Sequence, residues 1–393
     1  MSKLLYIHVP FCIKKCRYCD FYSETLLREI PAFVTALLTE IELRSQRLCA
    51  GKDALPPART IYFGGGTPSL LPLDALDTIL ATIRKYYPLV NQPEITLEAN
   101  PGTVDLAYLK GLRGLGVNRL SMGIQSFRDE KLVVLGRLHT AEDAVKAIEN
   151  ARKAGFDNIG LDLIFGLPGE SYAAWQKDLA RVTAFTPEHL SCYMLTLEPE
   201  TDLFREYKSG GFRPMSPDLQ VDLFSLTSGY LGDAGFDHYE VSNYARSGQL
   251  RSRHNSGYWQ MLPYEGFGPS AHTLALKDGK DVSPERFWNI SDLKTYISRL
   301  EEGRLPVAEH EQISPPQQLL EMLMIRLRTV EGIDIQAFDR ISEVPFTKLY
   351  ASLIDALTRE GFGRMSEDGR RFALTRAGWA RLDSIVEVFA ESL

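Results

Sequence analysis

The 393-residue sequence has few cysteines, five in all, and no apolar run of about 18 residues, the length a membrane-crossing helix needs. The formal net charge is −7, so no basic excess marks a general nucleic-acid binder. No CxxCH occurs, and c-type haem attachment is therefore not indicated. Neither GxGxxG leading into a helix nor a Walker loop occurs, which leaves nucleotide-phosphate binding without support. No short repeat or low-complexity tract breaks the chain. The opening "MSKLLYIHVPF" is too short and too soon polar for a secretory signal. Thiols without such a signal suit a reducing, cytoplasmic setting.

Three of the five cysteines, Cys12, Cys16 and Cys19, nonetheless crowd into "CIKKCRYC". An odd number of neighbouring thiols makes a poor disulfide framework. Thiolates are the favoured ligands of iron–sulfur clusters and zinc. Structural zinc usually takes four closed ligands, and Phe21 stands where a further cysteine would continue the run. A cluster on three cysteines leaves one iron open. Cys192, inside a strand-like run, reads as core, and Cys49 ends a helical stretch without an evident role.

Over the first two hundred residues, apolar β-type runs alternate with helical stretches. The runs are "KLLYIHV", "RTIYFGGG", "EITLEANP", "VNRLSMGIQS", "NIGLDLIFGLPG" and "HLSCYMLTL". Thr140 and Asp143 form a capping box for "AEDAVKAIENARKAGF", which stops at Gly155. Six β–α repeats predict an α/β fold with a partial parallel (βα)6 TIM-like barrel over residues 1–205. A barrel extension over 206–305 follows. Residues 306–393 read helix–helix–hairpin–helix, a smaller, mainly helical, winged-helix-like C-terminal domain. Acidic residues interspersed among its arginines favour a packing module over DNA binding.

Polar residues fall where the predicted strands end, the face on which barrel sites assemble. Gly64, Gly65 and Gly66 follow the second strand, either as a tight turn or to bring backbone close to a ligand. Glu98 ends the third strand, Gln125 the fourth, and Asp162 lies within the fifth; Arg137 follows in "LGRLHT". An acid in an apolar strand is costly unless it is paired or bound to a ligand, which singles out Asp162.

Cx3Cx2C with an aromatic before its last cysteine, together with "GGGTPS", resembles the radical S-adenosylmethionine (SAM) superfamily. "YIHVPFC", "LEANPGT", "SMGIQSF", "LGRLHT" and "DLIFGLPGE" resemble its branch of oxygen-independent coproporphyrinogen III dehydrogenases (HemN-type) and HemW-type haem chaperones. The resemblance covers nearly the whole chain. It implies a [4Fe–4S] cluster on Cys12, Cys16 and Cys19, with SAM chelated at the open iron. Gly65, Gly66 and Thr67 would receive the methionine end of SAM, and Glu98 would take its polar atoms. Tyr6 and Tyr18 would flank cluster or cofactor. Gln125, Arg137 and Asp162 match positions that contact a second SAM in the dehydrogenases.

Two departures favour the chaperone side. The dehydrogenases show Cx3Cx2CxC, whereas position 21 here is Phe, and they carry an extension before the first strand that this chain has no room for. "RHNSGYWQ" matches the HNxxYW motif associated with haem in the chaperones, which implies His254, Asn255, Tyr258 and Trp259 as haem-binding residues. A single histidine beside aromatics is also a common packed residue, and His272 and His139 are the alternative ligands. The implied partners are haem as cargo, a haem-acceptor protein such as one of the respiratory chain, and an electron donor such as a flavodoxin or ferredoxin. No nucleic acid is among them. The competing reading is the dehydrogenase, or another radical SAM enzyme acting on tetrapyrroles.

Overall fold

The structure is a computed structural model that describes residues 3–49, 55–276 and 284–393. Six strands, β1 (Lys3–Val9), β2 (Ala58–Gly65), β3 (Leu89–Ala99), β4 (Arg119–Gln125), β5 (Ile159–Phe165) and β6 (His189–Met194), pair in parallel and in sequence order. Between them run α1 (Ile30–Cys49), α2 (Leu73–Tyr86), α3 (Leu106–Leu115), α4 (Asp129–Leu135), α5 (Ala141–Lys153) and α6 (Tyr172–Ala184). Parallel neighbours need such crossovers, and the helices cover one face of the sheet. Strand periodicity divides the residues cleanly. Leu5, Ile7 and Val9 join Phe33, Leu37 and Ile41 of α1 in the main core. Tyr6, Tyr62, Glu98, Ser121 and Asp162 occupy the concave face, where Tyr62 bonds Glu98 and Ser121 bonds Asp162.

Helix α5 has the expected capping box between Thr140 and Asp143, and Gly155 takes a positive φ after its end. The six predicted strands are all present. β3 begins earlier than its motif, at Leu89, and β6 stops at Met194.

The later part of the chain widens the sheet on both sides. It supplies α7 (Asp202–Lys208), α8 (Pro217–Asp233), β7 (Asp237–Glu240), β8 (Asn243–Ala245), α9 (Arg253–Trp259), β9 (Tyr264–Phe267) and β10 (His272–Ala275). Then come β11 (Glu285–Asn289), α10 (Leu293–Glu301) and β12 (Val307–Gln312). Among the described residues, twelve strands form one sheet, ordered β12-β11-β10-β9-β1-β2-β3-β4-β5-β6-β8-β7. β9 pairs in parallel with β1, and β10, β11 and β12 follow antiparallel.

A buried acid locks this flank to the barrel. Glu40 on α1 accepts from Arg44, from the Gly268 amide, from Tyr296 and from Asn289, at 2.7–2.9 Å. With every lone pair used, the buried charge is tolerated. The network sets β9–β11 beside the segment that follows β1.

The C-terminal part contains α11 (Pro315–Arg326), β13 (Ile333–Asp334), α12 (Ile335–Asp339), α13 (Phe346–Leu349), α14 (Ala351–Arg359), β14 (Gly363–Met365), β15 (Arg371–Leu374), α15 (Arg376–Trp379) and α16 (Leu382–Ala390). Its small sheet runs β13-β15-β14. Two prolines open the first turn of α11, where a missing N–H costs nothing. Trp379 packs edge-on against His238 and donates to Leu327 O, tying this unit to the barrel. Among the described residues, no helix is long and apolar enough to cross a membrane.

Candidate functional site

Beyond β1 the chain loops outward through the three cysteines and returns at Glu24. Cys12 N donates to Glu24 O, Glu24 N to Pro10 O, and Phe11 bridges Glu24 in parallel fashion. Midway, Arg17 N donates to Leu135 O, Arg17 O accepts from Leu203 N, and the guanidinium pairs with Glu206. Cys12, Cys16 and Cys19 are free thiols, half-buried, at the rim of a cavity of about 640 Å³ over the C-terminal ends of the strands. Among the described residues, no group of three or more His, Cys, Asp or Glu is placed to hold a single metal ion. Thiolates are the usual ligands of an iron–sulfur cluster, and all three line this one cavity.

Eleven of the residues expected at the site do reach this cavity. Besides the cysteines these are Tyr18, Gly65, Gly66, Thr67, Glu98, Gln125 and Arg137; Asp162 lies there too. Tyr6 does not. It lines a neighbouring cavity and donates to, or accepts from, His8 Nδ1 at 3.1 Å.

The glycines serve the chain before any ligand. A Cβ on Gly66 would lie 2.7 Å from Phe11 O and 2.9 Å from both Phe11 N and Val9 O. Gly65 has φ +107°, and its Cβ would strike the His8 ring at 2.6 Å. Absent side chains thus let the cysteine loop sit directly on the end of β2.

A polar chain encircles the cavity. Cys12 Sγ lies 3.5 Å from Thr67 Oγ1, which accepts from Asn100 Nδ2 at 2.9 Å. Asn100 Oδ1 accepts from Arg137, whose Nη1 reaches Cys16 Sγ at 3.4 Å. A register irregularity between Gly123 and Gln125 frees two carbonyls of β4. Gly123 O accepts from Arg137 and Ile124 O from His139. The bulge leaves Gln125 at φ +65°; its Oε1 and Arg137 Nε are both buried and without a partner among the described residues. Buried polar atoms left unpaired are uncommon and costly, and here they edge a cavity, so the residues fit a polar ligand.

On the floor, Glu98 accepts from Tyr62 at 2.7 Å, and Asp162 accepts from Ser121 at 3.1 and 3.3 Å. Burial pushes Glu98 up to about 7, against the lowering effect of the Tyr62 bond, and Asp162 adds to the rise. Burial also raises Asp162, with Ser191 and Ser121 opposing. Two acids held in this way suit a ligand that brings its own positive charge.

The HNxxYW segment forms α9, laid across the opposite, N-terminal ends of the first strands. Ser252 caps the helix, and Glu94 of β3 accepts from the amides of Arg253 and His254. A Cβ on Gly257 would meet Leu4 at 2.5 Å, so the helix lies close on β1. His254 is fully buried. One ring nitrogen bonds Thr60 Oγ1 at 2.7 Å, the other Tyr258 OH at 3.1 Å, and Tyr62 stacks on the ring. Burial lowers it to about 3, a neutral packed histidine. Its ring offers no free lone pair to a ligand. Asn255 donates from its amide to the cap, whereas Tyr258 and Trp259 reach the neighbouring cavity. Phe21, 67% exposed, and Asp20 line both cavities and form the lip between them.

Sequence comparison agrees with this architecture. The Radical SAM superfamily is matched over residues 6–182 and the HemN C-terminal domain over residues 313–381. The chain belongs to the radical SAM superfamily, in its HemN/HemW family. It is 36% identical to "Heme chaperone HemW" of Synechocystis, over 95% of this chain and 89% of that one. It is 35% identical to the HemW of Escherichia coli, over 98% and 97%. The coproporphyrinogen III oxidase (HemN) of Escherichia coli shares the fold, with a TM-score of 0.80 at 22% identity, over 100% of this chain and 91% of that one. Family membership implies a [4Fe–4S] cluster and SAM.

Proposed function

We propose that the chain is a haem chaperone that binds a [4Fe–4S] cluster, SAM and haem and passes the haem to an acceptor protein. One observation carries the reading: three free thiols, the Thr67–Asn100–Arg137 chain and two buried acids share a single cavity. Cys12, Cys16 and Cys19 would hold the cluster. Thr67, Glu98, Gln125, Arg137 and Asp162 would hold SAM, Gln125 and Arg137 through their unpartnered atoms. When bound, cluster and SAM supply one-electron radical chemistry; the chain orients them and shields them from water. The chaperone role, and haem as cargo, are supported by the names and identities of the HemW relatives.

Within this reading, residues 1–205 carry cluster and SAM, 206–305 form the cargo side, and 306–393 brace it. Exposed Lys14 and Lys15 beside Cys12 and Cys16 suit an acidic electron donor such as a flavodoxin or ferredoxin. The acceptor would be a haem protein, such as one of the respiratory chain. Anaerobic reconstitution tests the whole. The expected result is about four iron and four sulfide per chain, with haem bound near one per chain. Coproporphyrinogen III, given SAM and reductant, should not be decarboxylated above background. Robust formation of protoporphyrinogen IX would replace the chaperone with the dehydrogenase.

A further inference from the structure

Of the seven histidines in the chain, five have a ring nitrogen committed inside the fold. His8 bonds Tyr6 and Tyr22 O; His139 bonds Ile124 O; His189 bonds Tyr239. His238 bonds Ser228 and Val241 O, and His254 bonds Thr60 and Tyr258. His310 is exposed on β12 and lines neither cavity described above. His272 is different. It is exposed at the start of β10, stacked on Trp288 with ring centres 5.4 Å apart, and no described residue hydrogen-bonds its ring nitrogens.

His272 also lines the second cavity, which has a volume of about 510 Å³ and adjoins the cysteine site at Asp20 and Phe21. Tyr6, Tyr258, Trp259 and Tyr264 wall the same space, with Leu262 and Leu274 beside them. The indole nitrogen of Trp259 is buried without a partner among the described residues. Several rings around a space that also carries Arg286 and Glu321 suit a large planar ligand with a polar edge, and the volume falls within the usual range for small-molecule sites. A free imidazole at the edge adds the donor that a central iron takes. Partial burial, then Arg286, lowers the pKa of His272 and so favours the neutral ring.

We propose that His272, rather than His254, is the axial ligand by which this chain holds haem iron, in the cavity between the cysteine loop, α9 and β9–β11. The proposal rests on the haem-carrying reading above. One coordinate bond forms, from an imidazole nitrogen lone pair to iron, and a weakly held water leaves; no electron is transferred. His254 then keeps a positioning role, holding Tyr258 against the cavity wall.

Titration of ferric haem into the full-length chain, followed by its Soret band and electron paramagnetic resonance, tests this. Wild type should give the spectrum of an imidazole-ligated iron. His272→Ala should lose that signature and bind haem at least about tenfold more weakly, with added free imidazole restoring the band. His272→Met should exchange it for a thioether-ligated spectrum. His254→Gln, which can still hydrogen-bond, should keep the wild-type band. An unaltered spectrum and affinity in His272→Ala would overturn the assignment, as would loss of the band in folded His254→Gln alone. If wild type takes up no haem, the haem-carrying reading itself fails, a result distinct from haem bound normally by His272→Ala.

Discussion

Arg137 Nη1 donates to Cys16 Sγ at 3.4 Å, while Nη2 of the same guanidinium holds Asn100 Oδ1 and Gly123 O. One planar fork therefore joins the cysteine loop, the end of β3 and the bulge of β4. A lysine would retain the charge but cannot span three acceptors in fixed directions. Arg137→Lys is expected to load with iron and sulfide nearly as wild type does, yet bind SAM at least about tenfold more weakly. Iron analysis and calorimetric titration with SAM check the pair of outcomes. Unchanged SAM affinity would remove Arg137 from the cofactor site.

Removing any one of Cys12, Cys16 or Cys19, as Cys→Ala, is expected to abolish the reconstituted cluster absorbance. Cys192 is buried in the core, with its thiol pushed up by burial, and Cys192→Ala should retain full iron content. Cys49→Ala should retain it too. Full iron in the triple variant of the first three would end the cluster assignment.

Gly66 tests the seating of the loop. Its added Cβ meets backbone atoms of Phe11 and Val9, which cannot step aside as a flexible side chain can. Gly66→Ala should cost about 1–3 kcal/mol in urea unfolding and lower cluster yield together with stability. Gly114, in α3 with nothing within 4 Å of a new Cβ, supplies the control. Gly114→Ala should be neutral or slightly stabilising, since alanine is the better helix former. Equal behaviour of the two variants would show that the loop does not need this contact.

Glu98 gives the cluster-free chain a pH dependence of definite sign. Burial raises it from 4.5 to about 7, so between those values the folded chain keeps a proton that the unfolded chain has shed. Its contribution is full below about pH 4.5 and is lost as pH climbs through about 7. Glu98→Gln lacks the titration. From pH 4.5 to 8 wild type should lose on the order of 3 kcal/mol more stability than the variant. Chemical denaturation at the two pH values measures the difference; parallel curves would refute it.

Much of this was legible in the sequence because it is local. Cx3Cx2C, the six apolar runs and the Thr140–Asp143 cap each depend on neighbours a few residues away. Asn100 was within a recognised run, "LEANPGT", but its bonds to Thr67 and Arg137 cross 33 and 37 residues and no periodicity reveals them. The β4 bulge was invisible for a similar reason, since a positive φ at Gln125 is a choice made by its surroundings and not by its own preference. The histidines show the limit most clearly. His254 is closed off by Thr60, 194 residues away, whereas His272, in an unremarkable "GPSAHT", is left open. Ring availability is a tertiary property.

The clasp at Pro10, Cys12 and Glu24 closes the cysteine loop with backbone bonds alone, and Arg17 anchors its middle to Leu135 and Leu203. None of these bonds uses a thiol. These bonds offset part of the loop's ordering cost as the barrel folds, before iron arrives. Oxidative loss of the cluster should then leave an intact, waiting socket, and the same polypeptide could be recharged through repeated cycles of damage without passing through an unfolded state.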